Sequence, residues 1–411
     1  MNEDKIKKAL FLLAIASAFV GIYYGFSDSI IANYFREAYG IGAAQRGFVE
    51  LPRELPGIVS LFVISALSFL RDIRIAIVAQ LFGAIGMMVL GIWHPTYGVM
   101  LIFLFIYSLG LHMYIPLGDS IPLSFAKQGN MGRTLGRLNS VRMAAMMLAG
   151  IATFFGFRYG VFTFDAPVVV FIICAACFAV IGAVLFVLYK TVGDFAQNTE
   201  PPKLVWKKAY IRYYVICALF GGRKQIMIVF SPWVLIELLD FKADTMSILG
   251  VIGAFIGIFF IPLVGRMIDS YGTKNVMIFE AAAFIGVYVA YGFLTNWITN
   301  NVVILTGIAM LFIYALFIVD RMSMQFSIAR SIYMKSIALC PEDVTPSLST
   351  GMAIDHLIAI VGSFICGIIW ERFGPEYVFI IAAVLSFANM MAVVGIKNKT
   401  GDEGITLSNQ K

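Results

Sequence analysis

Long runs of apolar residues, separated by short polar segments, recur along the whole chain. A helix that crosses a bilayer needs about 20 apolar residues in succession, and twelve segments satisfy this. They lie near residues 9–35, 47–70, 75–93, 98–124, 134–157, 166–189, 210–238, 246–265, 276–297, 301–326, 346–370 and 375–396. The pattern predicts an all-α polytopic membrane protein with twelve transmembrane helices, the tenth extended towards residue 339.

The longest polar interruption falls between the sixth and seventh segments. It contains Glu200-Pro201-Pro202 and divides the chain into equal sets of six helices. We therefore predict an N-terminal bundle (1–190), a cytoplasmic linker (191–208) and a C-terminal bundle (209–411) that ends in a short cytoplasmic tail. Equal halves of this kind favour an internal repeat and two pseudo-symmetric six-helix bundles.

Composition supports a membrane protein and excludes other classes. The chain has 411 residues, of which 60% are hydrophobic and 13% charged, and its mean hydropathy is +0.89. A soluble fold could not bury so much apolar surface, and a disordered chain needs more charge. The length leaves no room for a soluble catalytic domain. We expect no enzyme activity, and no cofactor or metal, because no metal-ligand cluster, catalytic triad or P-loop pattern occurs.

The distribution of Lys and Arg predicts the orientation. If the N-terminus is cytoplasmic, most of the basic residues outside the spans lie on the inner side, as the positive-inside rule requires. This bias also explains the net charge of +6 without a nucleic-acid partner. We predict a multi-pass protein of the plasma (bacterial inner) membrane with both termini in the cytoplasm. The expected partners are lipids, a small-molecule substrate and a coupling proton, and we expect a monomer.

A ten-residue motif joins the eighth and ninth segments. It reads GRMIDSYGTK, or G-x-x-x-D-x-x-G-x-K, and its key positions are Gly265, Asp269, Gly272 and Lys274. This resembles the loop motif of the major facilitator superfamily, which recurs between helices two and three. The resemblance implies two six-helix bundles around a central midplane site, alternating access, and an acid and base that help to lock the cytoplasmic side.

The N-terminal copy of the motif departs from the pattern. A shift of 200 positions aligns it with residues 65–74, where Ser65, Phe69 and Asp72 replace the first glycine, the acid and the second glycine. Arg74 matches the base in kind. Drug/proton antiporters of the superfamily carry a G-P signature in helix five, but the fifth segment here has no proline. This argues against the multidrug-exporter branch.

Three basic residues lie deep inside predicted spans. Arg142 is near the middle of the fifth segment, and Arg223 and Lys224 are near the middle of the seventh. A charge at that depth costs about 2.5–3.5 kcal/mol on insertion scales, so it usually faces a cavity or a partner. The resemblance implies that these helices line the central cavity. We predict that the three bases bind an anionic substrate, with Tyr23 and Tyr24 beside them; the alternative is static ion pairs.

Intramembrane acids are the candidates for proton coupling or gating. Static pairing with an arginine remains open for each of them. The candidate set, including adjacent bases, is Asp28, Glu50, Arg53, Glu54, Asp119, Asp320, Arg321 and Asp355. Glu50 and Glu54 are one helical turn apart, a spacing that resembles the sodium/sugar symporters. An outer gate in which Arg53 neutralises one glutamate is the favoured reading, and sodium coupling is the less favoured one.

The sequence thus predicts a secondary active transporter that moves a small organic anion with protons by alternating access. One alternative is an exporter of lipophilic or cationic compounds by proton antiport, with Asp28 as the cation partner. An alternative of another class is a polytopic membrane receptor or enzyme, which no motif supports.

Overall fold

The computed structural model describes residues 3–67, 69–126, 131–193, 205–302 and 307–396. Its regular secondary structure over these residues is helical. The helices of the N-terminal half are α1 (Glu3–Ser27), α2 (Ile31–Tyr39), α3 (Ala43–Phe48), α4 (Glu50–Ala66), α5 (Asp72–Ile92), α6 (Tyr97–Phe125), α7 (Met131–Arg158) and α8 (Val169–Val192). Those of the C-terminal half are α9 (Ile211–Trp233), α10 (Ala243–Tyr271), α11 (Thr273–Thr299), α12 (Ile308–Met322), α13 (Ser327–Ile337), α14 (Val344–Phe373) and α15 (Pro375–Val394).

Eleven helical stretches of the described chain are long and apolar enough to cross a membrane. The 17-residue helix α4 lies within the second predicted apolar segment. The all-helical, multi-pass architecture predicted from the apolar pattern is therefore confirmed, and the count of twelve is approximately met. Residues 194–204 of the predicted linker and residues 397–411 of the predicted tail lie outside the described residues.

Three predicted segments are divided in the structure. The first ends at Ser27 and resumes as α2, because Ser27 and Asp28 offer polar side chains that compete with helical hydrogen bonding; Ser27 Oγ donates to Tyr23 O at 2.7 Å. The second segment begins with the short helix α3, which ends just before α4. The tenth is divided into α12, a 3-10 turn (Ser323–Phe326) and α13.

The chain forms two compact units. Unit 1 contains Met1–Pro201 and Leu235–Phe255, and unit 2 contains Pro202–Val234 and Ile256–Lys411. In unit 1, α5 packs on α6 and α8, α1 packs on α7 and α8, and α4 packs on α6. In unit 2, α9 packs on α14 and α15, and α15 also packs on α11.

A pair of glycines allows α1 to approach α7 closely. Gly21 and Gly25 are four residues apart, and a Cβ on either one would overlap the backbone carbonyl of Arg142 or Met146. Small residues at this spacing let the backbones of membrane helices come together. The packing brings the C-terminal part of α1, with Tyr24, alongside the middle of α7.

The segment 235–255 belongs to unit 1 by its contacts, although the predicted boundary at residue 209 would assign it to the C-terminal bundle. Asn33 Nδ2 on α2 donates to the carbonyl of Phe241 at 2.8 Å. Ion pairs join Arg36 to Glu237 at 3.8 Å and Arg158 to Asp244 at 3.5 Å. We call this segment the 235–255 hairpin.

Candidate functional site

A small cavity lies in unit 1 between α1, α4 and α6. Its volume is about 90 Å³. Eight residues with polar side chains line it: Tyr24, Ser27, Asp28, Arg53, Glu54, Tyr107, Ser108 and His112. Ile31 and Leu111 complete the wall. The structure thus brings together four residues predicted from the sequence, namely Tyr24, Asp28, Arg53 and Glu54.

Glu50 orients Arg53 at the edge of this cavity. The Glu50 side chain is fully buried, and its Oε1 accepts from Arg46 Nη1 at 2.5 Å and from Arg53 Nη1 at 2.6 Å. The predicted neutralisation of a glutamate by Arg53 is therefore present in the structure, at Glu50. Arg46, which lies just before the second segment, was not identified from the sequence.

Hydrogen bonds on α6 determine which nitrogen of His112 carries the proton in the neutral ring. Ser108 Oγ donates to the Arg53 carbonyl at 2.6 Å, so this hydroxyl acts as an acceptor towards His112. The His112 Nδ1 lies 2.9 Å from the Ser108 carbonyl and 3.1 Å from Ser108 Oγ. Both neighbours are acceptors, so Nδ1 holds the proton and the lone pair is on Nε2. His112 was not among the predicted site residues.

Arg142 interacts with Tyr24, which lines this cavity. The guanidinium interacts electrostatically with Tyr24 and Tyr114, and Tyr24 also interacts with Asp28. Arg142 donates to Asn139 Oδ1 on its own helix, and among the described residues no carboxylate lies within ion-pairing distance of it. Arg142 is therefore a deep base whose charge has no carboxylate counterion in the described part of the chain.

The other two predicted residues of this region differ in position. Tyr23 is 2% exposed, and its ring stacks on Phe178 at 4.5 Å within unit 1. It packs in the helix core and is not part of the cavity lining. Asp119 lies on α6 with an exposed side chain and interacts electrostatically with Tyr114.

Arg223 lies in the core of unit 2. Its side chain is fully buried, forms an ion pair with Glu280 of α11, and lies 4.7 Å from the Phe220 ring centre and 5.3 Å from that of Phe284. Glu280 was not considered in the sequence, because it lies near the start of its apolar segment. The position predicted for an open cavity is thus a packed ion pair in this structure.

Lys224 is also paired. Its Nζ donates to Asp355 Oδ2 of α14. The adjacent Gly221 permits this contact, since a Cβ there would overlap the Asp355 side chain. Helix α9 runs without a break through Gly221-Gly222, and its regularity changes after Pro232, where a π-helical turn covers Val234–Leu238. The glycine pair therefore serves packing, and the proline accounts for the change of helix type.

Asp320 lies in the core of unit 2. It is fully buried, and neither carboxylate oxygen has a hydrogen-bond partner in the described residues. Tyr288 and Ser231 lie beside it. The neighbouring Arg321 stacks its guanidinium 5.1 Å from the Phe317 ring centre.

The loop motif forms the turn between α10 and α11. Gly272 has φ +79°, a conformation that favours glycine, and it is the N-cap residue of α11. Lys274 Nζ donates to the Ile396 carbonyl at 2.6 Å, rather than extending to the headgroups. Asp269 is exposed, and no described atom of unit 2 lies within 4 Å of a Cβ built on Gly265, so this glycine is not needed for close packing there. In the N-terminal copy, Arg74 lies 5.8 Å from the Tyr189 ring centre.

Comparison with known proteins agrees with this architecture. The family model of the Major Facilitator Superfamily matches residues 13–339. The chain belongs to the major facilitator superfamily. The twelve-segment pattern, the loop motif and the two units are therefore those of a superfamily transporter, and the chain is an integral multi-pass membrane protein.

Solved structures of superfamily transporters have a similar fold. The nucleoside transporter NupG has a TM-score of 0.71 at 17% identity, covering 95% of this chain and 100% of its own. A D-xylose-proton symporter has a TM-score of 0.66 at 13% identity, covering 94% and 97%. A bacterial homologue of the iron transporter ferroportin, in an inward-facing state, has a TM-score of 0.67 at 12% identity, covering 96% of this chain and 99% of its own. At these identities the similarity shows the fold alone, and comparison with curated proteins gives no significant sequence match.

Proposed function

We propose that this superfamily transporter carries a small organic anion together with protons by alternating access. The observation that carries the proposal is the contrast between the three deep bases. Arg223 and Lys224 are each paired with a carboxylate, whereas Arg142 is not paired with one in the described residues. A charge within a membrane span that has no counterion favours binding of an anionic group from outside the protein.

The chemistry of Arg142 suits a carboxylate or phosphate. A guanidinium offers a planar pair of donors that matches these groups, and charge-assisted hydrogen bonds of this kind are among the strongest in proteins. Tyr24 connects Arg142 to the cavity that Asp28 and Glu54 line. The anionic group of the solute would bind Arg142, and its polar remainder would contact this wall.

Proton coupling is the second part of the proposal. It rests on the intramembrane carboxylates Asp28, Asp119, Asp320 and Asp355, any of which can neutralise an incoming negative charge by binding a proton. The fold similarity to a D-xylose-proton symporter is compatible with this coupling.

The test is substrate binding and counterflow of the purified protein with a library of carboxylates, phosphorylated metabolites, neutral sugars, nucleosides and cationic dyes. We expect one anion class to stabilise the protein, and Arg142→Ala to weaken its binding by about 10–150-fold, the loss of one charge-assisted hydrogen bond. The matched control is Arg137→Ala, an exposed base on the same helix. Unchanged anion binding in Arg142→Ala would contradict the proposal.

Export of a cationic compound is the second candidate. It is favoured by the two carboxylates, Asp28 and Glu54, that line one cavity in unit 1. Stabilisation by cationic dyes but by no anion, lost in Asp28→Asn, would replace the anion proposal with this one.

A further inference from the structure

Three buried side chains that interact with one another in unit 2 have polar atoms without a hydrogen-bond partner in the part of the chain that the structure describes. Arg223 Nε and Nη1, Tyr288 Oη, and both oxygens of Asp320 have no hydrogen-bond partner in the described residues. All three side chains are fully buried. Buried polar groups normally have hydrogen-bond partners. Several unpartnered polar atoms in one region therefore suggest that these groups form other contacts in a second state of the protein.

These unsatisfied groups interact with one another. Arg223 interacts electrostatically with Asp320 and Tyr288 as well as with its partner Glu280. The groups that face Asp320 are Arg223 and Ser231 from α9, Tyr288 and Tyr291 from α11, and Arg321 from its own helix. Ser231 Oγ is 2.6 Å from Tyr291 Oη, so these two hydroxyls are already bonded to each other.

We propose that Arg223 exchanges between two carboxylates, Glu280 and Asp320, and that Asp320 holds the transported proton while Arg223 is paired with Glu280. This inference rests on the proposed proton coupling and assigns it a residue. It also assigns Glu280 and Tyr288 positioning roles around that proton.

Burial explains why Asp320 carries a proton in the present arrangement. An ionised carboxylate without hydrogen bonds is very costly in a low-dielectric core, and the group becomes neutral instead. Arg223 is bonded to Glu280 through Nη2. Its Nε and Nη1 have no hydrogen-bond partner in the described residues, and because they lie on different edges of the guanidinium, each can donate a single hydrogen bond. When Asp320 loses its proton, one of these donors contacts it and the guanidinium provides its counterion.

Arg330 makes the exchange possible for Glu280. Its guanidinium lies on the Phe220 ring, 3.1 Å from the ring centre, while Arg223 lies 4.7 Å from the same centre. Arg330 interacts electrostatically with Glu280. If Arg223 turns towards Asp320, Glu280 keeps a nearby positive charge, so neither carboxylate is left unpaired.

The exchange predicts a non-additive pattern of stability, measured as thermal unfolding of the full-length protein in detergent. Asp320→Asn and Glu280→Gln each leave Arg223 one carboxylate, so each should lower the melting temperature modestly. The double variant leaves Arg223 as a buried unpaired charge, and its melting temperature should fall by much more than the sum of the two single shifts. Adding Arg223→Met to the double variant should recover most of the loss.

Two results would overturn the exchange. One is a Glu280→Gln variant as unstable as the double variant, because Asp320 would then provide no alternative partner. The other is a strictly additive double variant. If the double variant does not fold, the comparison uses the two single variants and the triple variant. Glu342→Gln, which removes an exposed acid of the same unit, is the control.

Transport provides the readout that a merely structural role would not change. In liposomes, Asp320→Asn should retain counterflow of the anion identified by the library but lose accumulation driven by a pH gradient, since asparagine cannot carry a proton. The control Glu342→Gln should retain both. Gradient-driven accumulation by Asp320→Asn would refute the proton assignment. Absence of any anion binding in the wild type is a separate result, which would refute the proposed function instead.

Discussion

Several charged side chains of this protein lie in apolar surroundings, and Glu50 is one whose charge is balanced by two partners. Glu50 is fully buried between Arg46 and Arg53. Removing one partner from a buried ion pair leaves an uncompensated charge, which costs more than the intact pair contributes. The charges of Arg46 and Arg53 are therefore compensated by Glu50, and its removal would leave both without this partner.

We expect Glu50→Ala to reduce the free energy of unfolding by about 3–5 kcal/mol, because it leaves Arg46 and Arg53 without their shared acceptor. The measurement is thermal unfolding in detergent. Adding Arg46→Met, which removes the fully buried base, should restore part of the stability. No recovery in the double variant would mean that Glu50 acts through packing rather than charge.

A second charged pair lies outside the membrane spans. Lys207 Nζ donates to both oxygens of Asp343 at 2.8 and 2.5 Å, and Tyr210 donates to Oδ2 at 2.5 Å. These hydrogen bonds hold the pKa of Asp343 below its usual value, and the bond to Asp343 raises the pKa of Lys207. The stabilisation is present above the unfolded pKa of aspartate and is lost as the pH falls through the lower pKa of the folded state; for lysine it is lost only at strongly alkaline pH.

Asp343→Asn should therefore lower the melting temperature by about 2–4 °C at pH 7. The difference from the wild type should shrink as the pH falls below about 4, the unfolded pKa of aspartate, and through the lower pKa of folded Asp343. Melting curves at a series of pH values provide the measurement. A difference that stays constant down to pH 3 would show that the aspartate charge is not involved.

At the scale of elements, helix contact depends on small residues that the apolar pattern does not reveal. Gly21 and Gly25 bring α1 against the backbone of α7 at Arg142 and Met146. This contact places Tyr24 and Arg142 in the same region, so the geometry of the proposed anion contact depends on two residues without side chains.

Gly25→Ala should separate α1 from α7, with a loss of about 1–3 kcal/mol in unfolding free energy from overpacking. We also expect weaker anion binding, because Tyr24 moves with α1. The matched control is Gly136→Ala on α7, where no described atom lies within 4 Å of the new Cβ. Thermal unfolding and the binding assay test both variants, and equal behaviour of the two would contradict the close approach.

The sequence predicts elements better than it predicts contacts. Apolar runs located the membrane helices, since lipid requires them wherever the chain crosses. The division between Ser27 and Ile31 and the turn at Val234–Leu238 depend on local hydrogen bonding and on Pro232, which such runs do not register. The partner of Arg223 was missed because Glu280 lies near a segment end, where charge is ordinary. Burial of Tyr23 against Phe178 depends on helix rotation, which the nearly uniform apolarity of α1 and α8 does not specify.

At the scale of the whole molecule, the distribution of Lys and Arg predicts which side of the membrane each loop faces. Thr163 lies in the exposed loop between α7 and α8, and Cys340 lies in the segment between α13 and α14. With both termini in the cytoplasm, these two positions are on opposite sides. The other four cysteines are buried, which makes the native chain a convenient background for labelling.

A membrane-impermeant thiol reagent added to whole cells should label Thr163→Cys and leave the native Cys340 unmodified. After the membrane is permeabilised, Cys340 should become reactive. Cys340→Ser, combined with Thr163→Cys, isolates the outer signal. Labelling of Cys340 in intact cells, without Thr163→Cys, would reverse the predicted orientation.

The 235–255 hairpin has a consequence for the order in which the protein is made. Unit 1 includes residues that follow α8 by more than forty positions, and Asn33 can form its hydrogen bond only after Phe241 has been synthesised. At about 5–20 residues per second, a ribosome takes several seconds to extend the chain from α8 to the end of the hairpin. During that interval the first six spans have been synthesised, but unit 1 still lacks the contacts of residues 235–255. A ribosome that stalls before Phe255 therefore leaves a fragment without part of unit 1.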